Sequence, residues 1–118
     1  MKYQKSHEWV NIEGGVATIG ISDHAQEQLS DIIFIDLPEV GTEINVGSEF
    51  MSVESVKSAS DIYAPISGKI IEINDVLSDS PELVNELAES DGWLVKVEIN
   101  DEESTEHLLD KESYEASF

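Results

Sequence analysis

Two strand-like segments, residues 50–56 and 60–66, restrict the fold most, because the polar connection between them is too short for anything but a hairpin. Lys57 lies in that connection. Gly47 stands 10 positions before it and Gly68 stands 11 after it, so turn residues flank the lysine almost symmetrically. This spacing predicts a quasi-symmetric β sandwich with Lys57 at the tip of its central hairpin.

Further elements are predicted on either side. Gly14 and Gly15 separate residues 9–12 from 16–21, both rich in β-formers, and mark a tight hairpin. Residues 22–30 are helix-like, with Asp23 and Gln26 at capping-box spacing. Residues 31–37 contain Ile32, Ile33, Phe34 and Ile35 in succession, as expected of a strand covered on both faces, and Pro38 ends it. A further strand is predicted at 69–74. Ser80, Pro81 and Glu82 supply an N-cap, a first-turn proline and an acidic first turn for a helix with Leu83, Val84 and Leu87 on its apolar face. Asp91 and Gly92 turn into 93–99, where Trp93, Val95, Val97 and Ile99 alternate against Lys96 and Glu98. Short helical patterns occupy 105–109 and 111–118. No linker, low-complexity stretch or repeat interrupts this order, so residues 1–118 are expected to form a single domain.

Composition narrows the function. Six Lys and no Arg stand against 26 Asp plus Glu, a net charge of −20. Binding nucleic acid or an anionic membrane needs clustered Lys and Arg, so neither is expected as a partner. The apolar run at 32–35 is far too short to span a bilayer, and the first five residues lack the apolar core of a secretory signal. With no Cys there is no disulfide framework, thiolate zinc site or cysteine nucleophile. His7, His24 and His107 are not at metal-ligand spacing. The run Asp101, Glu102, Glu103 lacks the alternation and glycine of an EF-hand and is expected to be a solvated turn. No phosphate loop or Gly-x-Ser-x-Gly elbow is present. A conventional enzyme is therefore the weaker hypothesis.

Lys57 is one of only six lysines, and Ser58, Ala59 and Ser60 beside it are small enough to leave its amine accessible to a modifying enzyme. A hairpin tip also holds a side chain clear of the body while rigid strands fix where it starts. The residues alone leave an ordinary solvated turn lysine as the alternative.

The segment Glu54-Ser55-Val56-Lys57-Ser58-Ala59-Ser60-Asp61-Ile62-Tyr63-Ala64-Pro65-Ile66-Ser67-Gly68 closely resembles the lipoyl-attachment hairpin of the glycine cleavage system H protein family. Ser6-His7-Glu8-Trp9-Val10 resembles that family's N-terminal motif. Ala17-Thr18-Ile19-Gly20-Ile21-Ser22-Asp23-His24-Ala25-Gln26 and Asp31-Ile32-Ile33-Phe34-Ile35-Asp36-Leu37-Pro38-Glu39-Val40-Gly41 are similar to its next two. Pro81-Glu82-Leu83-Val84-Asn85, Gly92-Trp93-Leu94-Val95-Lys96 and Leu108-Leu109 follow in order, so the resemblance covers nearly the whole chain.

The resemblance implies a mainly β, lipoyl/biotinyl-type barrel–sandwich hybrid with small peripheral helices, and lipoate in amide linkage to Lys57. It implies a carrier, not an enzyme. The partners implied are the pyridoxal-phosphate glycine decarboxylase (P protein), which supplies an aminomethyl group, and the aminomethyltransferase (T protein), which passes it on. The others are the dihydrolipoyl dehydrogenase (L protein), which reoxidises the arm, and a lipoate ligase or octanoyltransferase. A cleft formed by Ser6, Glu8 and Asp61 is implied for the cationic end of the loaded arm; without the motif, Glu8 would be one more surface acid. A monomer is expected, and a bacterial cytoplasm, since Met1 and Lys2 at the N-terminal motif leave no room for an organelle transit peptide. Lipoate would supply the redox pair that a chain without Cys lacks. A lysine extended by an octanoyl chain reaches on the order of 10–15 Å and raises effective concentration at a docked partner. The excess acids would keep the carrier soluble and steer it toward basic partner surfaces.

Four alternatives compete with this reading, and the residues separate only the first two from it. A biotin carrier typically flanks its lysine with Met, where this chain has Val56 and Ser58. A 2-oxo acid dehydrogenase lipoyl domain shares the fold but lacks the motif at 6–10. A lipoyl relay or an unmodified acidic interaction module would leave the same sequence with a different task. The chain departs from the family pattern at Ser30, where Gly is common, and at 86–91. Ser30 would be strained if the position needs a positive φ.

Overall fold

The computed structural model describes residues 1–99 and 107–117. In chain order the elements are β1 (Lys2–Tyr3), β2 (Glu8–Glu13), β3 (Val16–Ile21), α1 (Asp23–Leu29), β4 (Ile32–Asp36), β5 (Glu43–Ile44), β6 (Glu49–Ser55), β7 (Ala59–Tyr63), β8 (Gly68–Ile73), α2 (Val76–Asp79), α3 (Glu82–Leu87), β9 (Val95–Ile99) and α4 (Lys111–Glu115). They build two antiparallel sheets, one of six strands in the order β1-β2-β3-β9-β8-β5 and one of three in the order β4-β6-β7.

Alternation along the strands makes the core. Val10, Ile19, Ile70, Val95 and Val97 of the large sheet join Ile35, Met51, Val53 and Ile62 of the small one in a single buried cluster. Removing each such side chain from water contributes about 1.5–3 kcal/mol. The β2–β3 hairpin turns at Gly14 and Gly15, whose φ angles of 56° and 80° suit the turn that matches strand twist. Leu77, Val84 and Ala88 bring α2 and α3 onto the same core. Among the described residues no helix is long and apolar enough to cross a membrane.

Several expectations need correction. The strand at 31–37 is not covered on both faces: Ile33 is 55% and Phe34 54% exposed, because a bulge between Ile32 and Phe34 breaks the pairing with β6. Ser22, not Asp23, caps α1, accepting from the Ala25 N–H at 3.1 Å. Gly68 is not a turn residue but opens β8, where a Cβ would lie 2.3 Å from the Glu98 carbonyl oxygen. Pro81 occupies the cap position of α3 without a side-chain cap, and Leu87 is exposed. The last strand begins at Val95, with Trp93 outside it under the Lys96 ammonium at 5.0 Å. Of the pattern at 105–109, Thr105 and Glu106 lie outside the described residues, and Leu109 bridges to Tyr3 instead of continuing a helix. The acidic run at 101–103 and Phe118 also lie outside them. The two-residue strands β1 and β5 and the short α2 had no periodic pattern to announce them.

Ser30 ends α1 with φ 66° and ψ −150°, a region almost confined to glycine. Asn85 holds it there, donating to the Ser30 carbonyl at 2.7 Å and accepting from the Ile32 N–H at 2.9 Å. Such a conformation costs a non-glycine residue about 1–3 kcal/mol, against about 0.5–1 kcal/mol of extra chain entropy for Gly. Ser30→Gly is therefore expected to stabilise by about 1 kcal/mol, raising Tm by roughly 4 °C in thermal unfolding; a lower Tm would show that the backbone strain is relieved locally.

Candidate functional site

Lys57 sits in the turn between β6 and β7 and is exposed. The turn is tied down by Ser55, which is 7% exposed. Its hydroxyl accepts from the Lys57 and Ser58 N–H groups, each at 3.2 Å, and donates to the Ser58 carbonyl at 3.1 Å. A serine bonding to backbone two and three residues on is a local device legible in Glu54-Ser55-Val56-Lys57. The Val56 N–H donates to the Asp31 carbonyl at 3.0 Å, fixing the turn to the start of β4. The Lys57 ammonium reaches the Gln28 carbonyl at 3.3 Å, so the amine leans toward α1.

Gln28 also lines a cleft of about 150 Å³. Its other walls are Ser6, His7, Glu8, Ile21, Ala25, Leu29, Ser60, Asp61 and Ile62. The fold thus gathers the sequence-predicted Ser6, Glu8 and Asp61 around one opening, with Gln28, which touches Lys57, on its wall.

Glu8 is the unusual residue, 1% exposed in a β strand. One carboxylate oxygen accepts from Gln4 Nε2 at 2.8 Å and from the Ser6 hydroxyl, and the other from the Tyr63 N–H at 3.0 Å. Burial pushes the Glu8 carboxyl above the usual carboxylate range, opposed by the bonds from Ser6, Gln4 and Tyr63. Asp61 differs from Glu8: it is exposed on the cleft rim, and its negative charge raises the neighbouring Glu49 carboxyl's pKa. The two acids are therefore not equivalent.

Sequence reasoning missed the network behind this wall. The Tyr114 hydroxyl on α4 is hydrogen-bonded to His7 Nδ1 and lies 2.7 Å from the Ser22 hydroxyl. One phenol therefore braces the Ser6–Glu8 segment against the cap of α1, two of the three segments that line the cleft, beside the direct Ser22 N–H to His7 carbonyl bond at 2.9 Å. Its ring stacks on Tyr3 with centroids 4.5 Å apart, and the His7 ring lies 4.6 Å from that of His24. Burial first, and the charge of His24 second, lower the His7 pKa. Among the described residues no group of three or more His, Cys, Asp or Glu is placed to hold a metal. Tyr114→Phe keeps the stack and removes the hydroxyl. It is expected to cost about 1–3 kcal/mol in denaturant unfolding and to speed amide exchange in α1; exchange confined to α4 would show that the phenol does not brace the two segments.

Two packed sheets with a lysine at the tip of a central hairpin are the barrel–sandwich hybrid of lipoyl-bearing carriers. The family model described as Glycine cleavage H-protein matches residues 1–118. Glycine cleavage system H protein of Thermotoga maritima is 56% identical over 114 residues, 97% of this chain and 92% of that protein. That of Pectobacterium carotovorum subsp. carotovorum is 57% identical over 119 residues, 100% of this chain and 92% of that protein. The crystal structure of a glycine cleavage system H protein from Mycobacterium marinum matches with a TM-score of 0.90 at 35% identity, covering 98% of this chain and 93% of that one. The chain belongs to the glycine cleavage H-protein family. Its members are lipoate carriers of the glycine cleavage system, components that interact with the rest of the system without being catalytic enzymes themselves.

Proposed function

We propose that Lys57 carries lipoate in amide linkage, and that the chain takes the aminomethyl group from the glycine decarboxylase (P protein) to the aminomethyltransferase (T protein) and passes electrons to dihydrolipoyl dehydrogenase (L protein). A lipoate ligase or octanoyltransferase would install the group, in a bacterial cytoplasm, in keeping with the bacterial sources of the relatives. One observation carries this reading: the exposed amine of Lys57 bonds to the Gln28 carbonyl, and Gln28 lines a cleft that also holds a buried carboxylate.

Lipoate, when attached, supplies a thiol pair that a chain without Cys lacks. The protein's own residues do the rest. Ser55 and the Asp31 carbonyl hold the turn, so the arm starts from a fixed point. Ile21, Ala25, Leu29 and Ile62 offer apolar walls to an apolar arm. Glu8, held by neutral donors from Gln4, Ser6 and Tyr63, offers a carboxylate to the cationic amine of the cargo. A cation seated there would offset part of the burial penalty on Glu8, and exclusion of water would slow hydrolysis of the cargo. Asp61 adds negative charge at the rim. Intact mass after co-expression with lipoate and a ligase tests the attachment: a gain of one lipoyl group supports it, and an unmodified mass under those conditions sinks it.

A further inference from the structure

We propose that the surface around Ile33, Phe34 and Val56 is where the acyl-transferring enzyme that modifies Lys57 docks, an enzyme whose contact face is an apolar pocket ringed by Lys and Arg. The proposal rests on Lys57 as the attachment site.

Isolated exposed apolar residues need no explanation, but a contiguous group of large ones marks an interaction site. Ile33 and Phe34 are 55% and 54% exposed on consecutive positions of β4, where the bulge disrupts the ladder to β6. Val56, 61% exposed, adjoins Lys57 in the turn. The bond from its N–H to the Asp31 carbonyl brings the turn against the start of β4, two residues before Ile33. The three apolar side chains and the lysine therefore occupy one end of the small sheet. Asp31, Asp36 and Glu54 are exposed around them, and Glu54 is the direct cross-strand partner of Phe34. On a chain of net charge −20, this apolar centre with an acidic rim is complementary to an apolar pocket with a basic rim.

Reach selects the occupant. Enzymes acting on the far end of the finished arm can stand on the order of 10–15 Å from the turn. The enzyme that forms the amide must bring its acyl carbon to Nζ itself, so it must contact the turn, which includes Val56 and is tied by the Val56–Asp31 bond to the start of β4. With an acyl adenylate as donor, the deprotonated Nζ attacks the carbonyl carbon and the new C–N bond forms. The C–O bond to phosphate then breaks, adenylate leaves with the electron pair, and the extra Nζ proton passes to solvent. Nothing is oxidised or reduced.

The test is the double variant Ile33→Ser/Phe34→Ser; both side chains are more than half exposed, so folding is little affected. Steady-state acylation of the unmodified chain is measured with a lipoate–protein ligase and lipoyl adenylate. We expect kcat/KM to fall by about 10-fold or more, through KM, and wild-type kcat/KM to fall with added salt. Reaction of Lys57 with a small N-hydroxysuccinimide ester, which needs no docking, should be unchanged. Equal kcat/KM for variant and wild type, a loss in kcat alone, or a matching loss with the small ester would each overturn the docking surface while leaving Lys57 as the attachment site. Absence of acylation in the wild type would overturn the attachment site and the docking surface with it.

Discussion

Lys57→Arg is expected to take up no lipoyl group and to abolish glycine–bicarbonate exchange with the P protein. The substitution keeps the positive charge, the approximate length and the exposure of the side chain, so the fold and the Ser55-tied turn should be unaffected. What it removes is nucleophilicity: a guanidinium stays protonated at any accessible pH and cannot attack an acyl carbonyl, whereas an ammonium can lose its proton to become an amine. Ser55 and Asp31 bond to the backbone of this turn and not to the lysine side chain, which is why the variant should unfold at the wild-type temperature. Intact mass and a reconstituted exchange assay give the two readouts. Any lipoyl group found on the Arg variant would place the attachment at another of the six lysines.

The second large effect is expected at Glu8. Glu8→Ala deprives the Tyr63 N–H, Gln4 amide and Ser6 hydroxyl of their common acceptor in a buried position. It should cost about 1–3 kcal/mol of stability and, by removing a carboxylate from the cleft, speed hydrolysis of the loaded cargo roughly 10- to 100-fold. An unchanged hydrolysis rate would remove Glu8 from that role. Glu8→Gln separates charge from volume. Burial raises the folded-state pKa of Glu8 above its unfolded value of about 4.3, so the folded protein holds this proton more tightly. The stability it contributes is therefore fully present below about pH 4.3 and is lost as pH rises through the folded pKa. The Tm of wild type minus that of Glu8→Gln should accordingly fall as pH is raised from 4 toward neutrality, by thermal unfolding. A rising difference would mean that the bonds from Ser6, Gln4 and Tyr63 outweigh burial.

The hairpin that presents Lys57 was legible because what marks it is local: two strand-like segments, 50–56 and 60–66, joined by a short polar connection. Gly14 and Gly15 were legible for the same reason, as a turn with two positive φ angles. The exposure of Ile33 and Phe34 was not. A continuous apolar run looks the same whether one face or two are covered, and only the bulge against β6 turns both side chains outward. Ser30 lay between these cases: a family pattern pointed at its backbone, but Asn85, 55 positions on, is what holds it there.

The sequence by itself determined a β sandwich, its central hairpin and the lysine at its tip, since periodicity and turn chemistry act within a few residues. Only the tertiary structure decided that Glu8 is buried and Asp61 is not, that Tyr114 braces two of the segments lining the cleft, and that an apolar face beside Lys57 is left uncovered. The Glu8 carboxylate is bonded by a backbone N–H 55 residues away and the His7 ring by a phenol 107 residues away. Whether a polar group meets such a partner or an apolar one meets water depends on which distant segments pack together, and hydrophobic pattern along the chain does not carry that information.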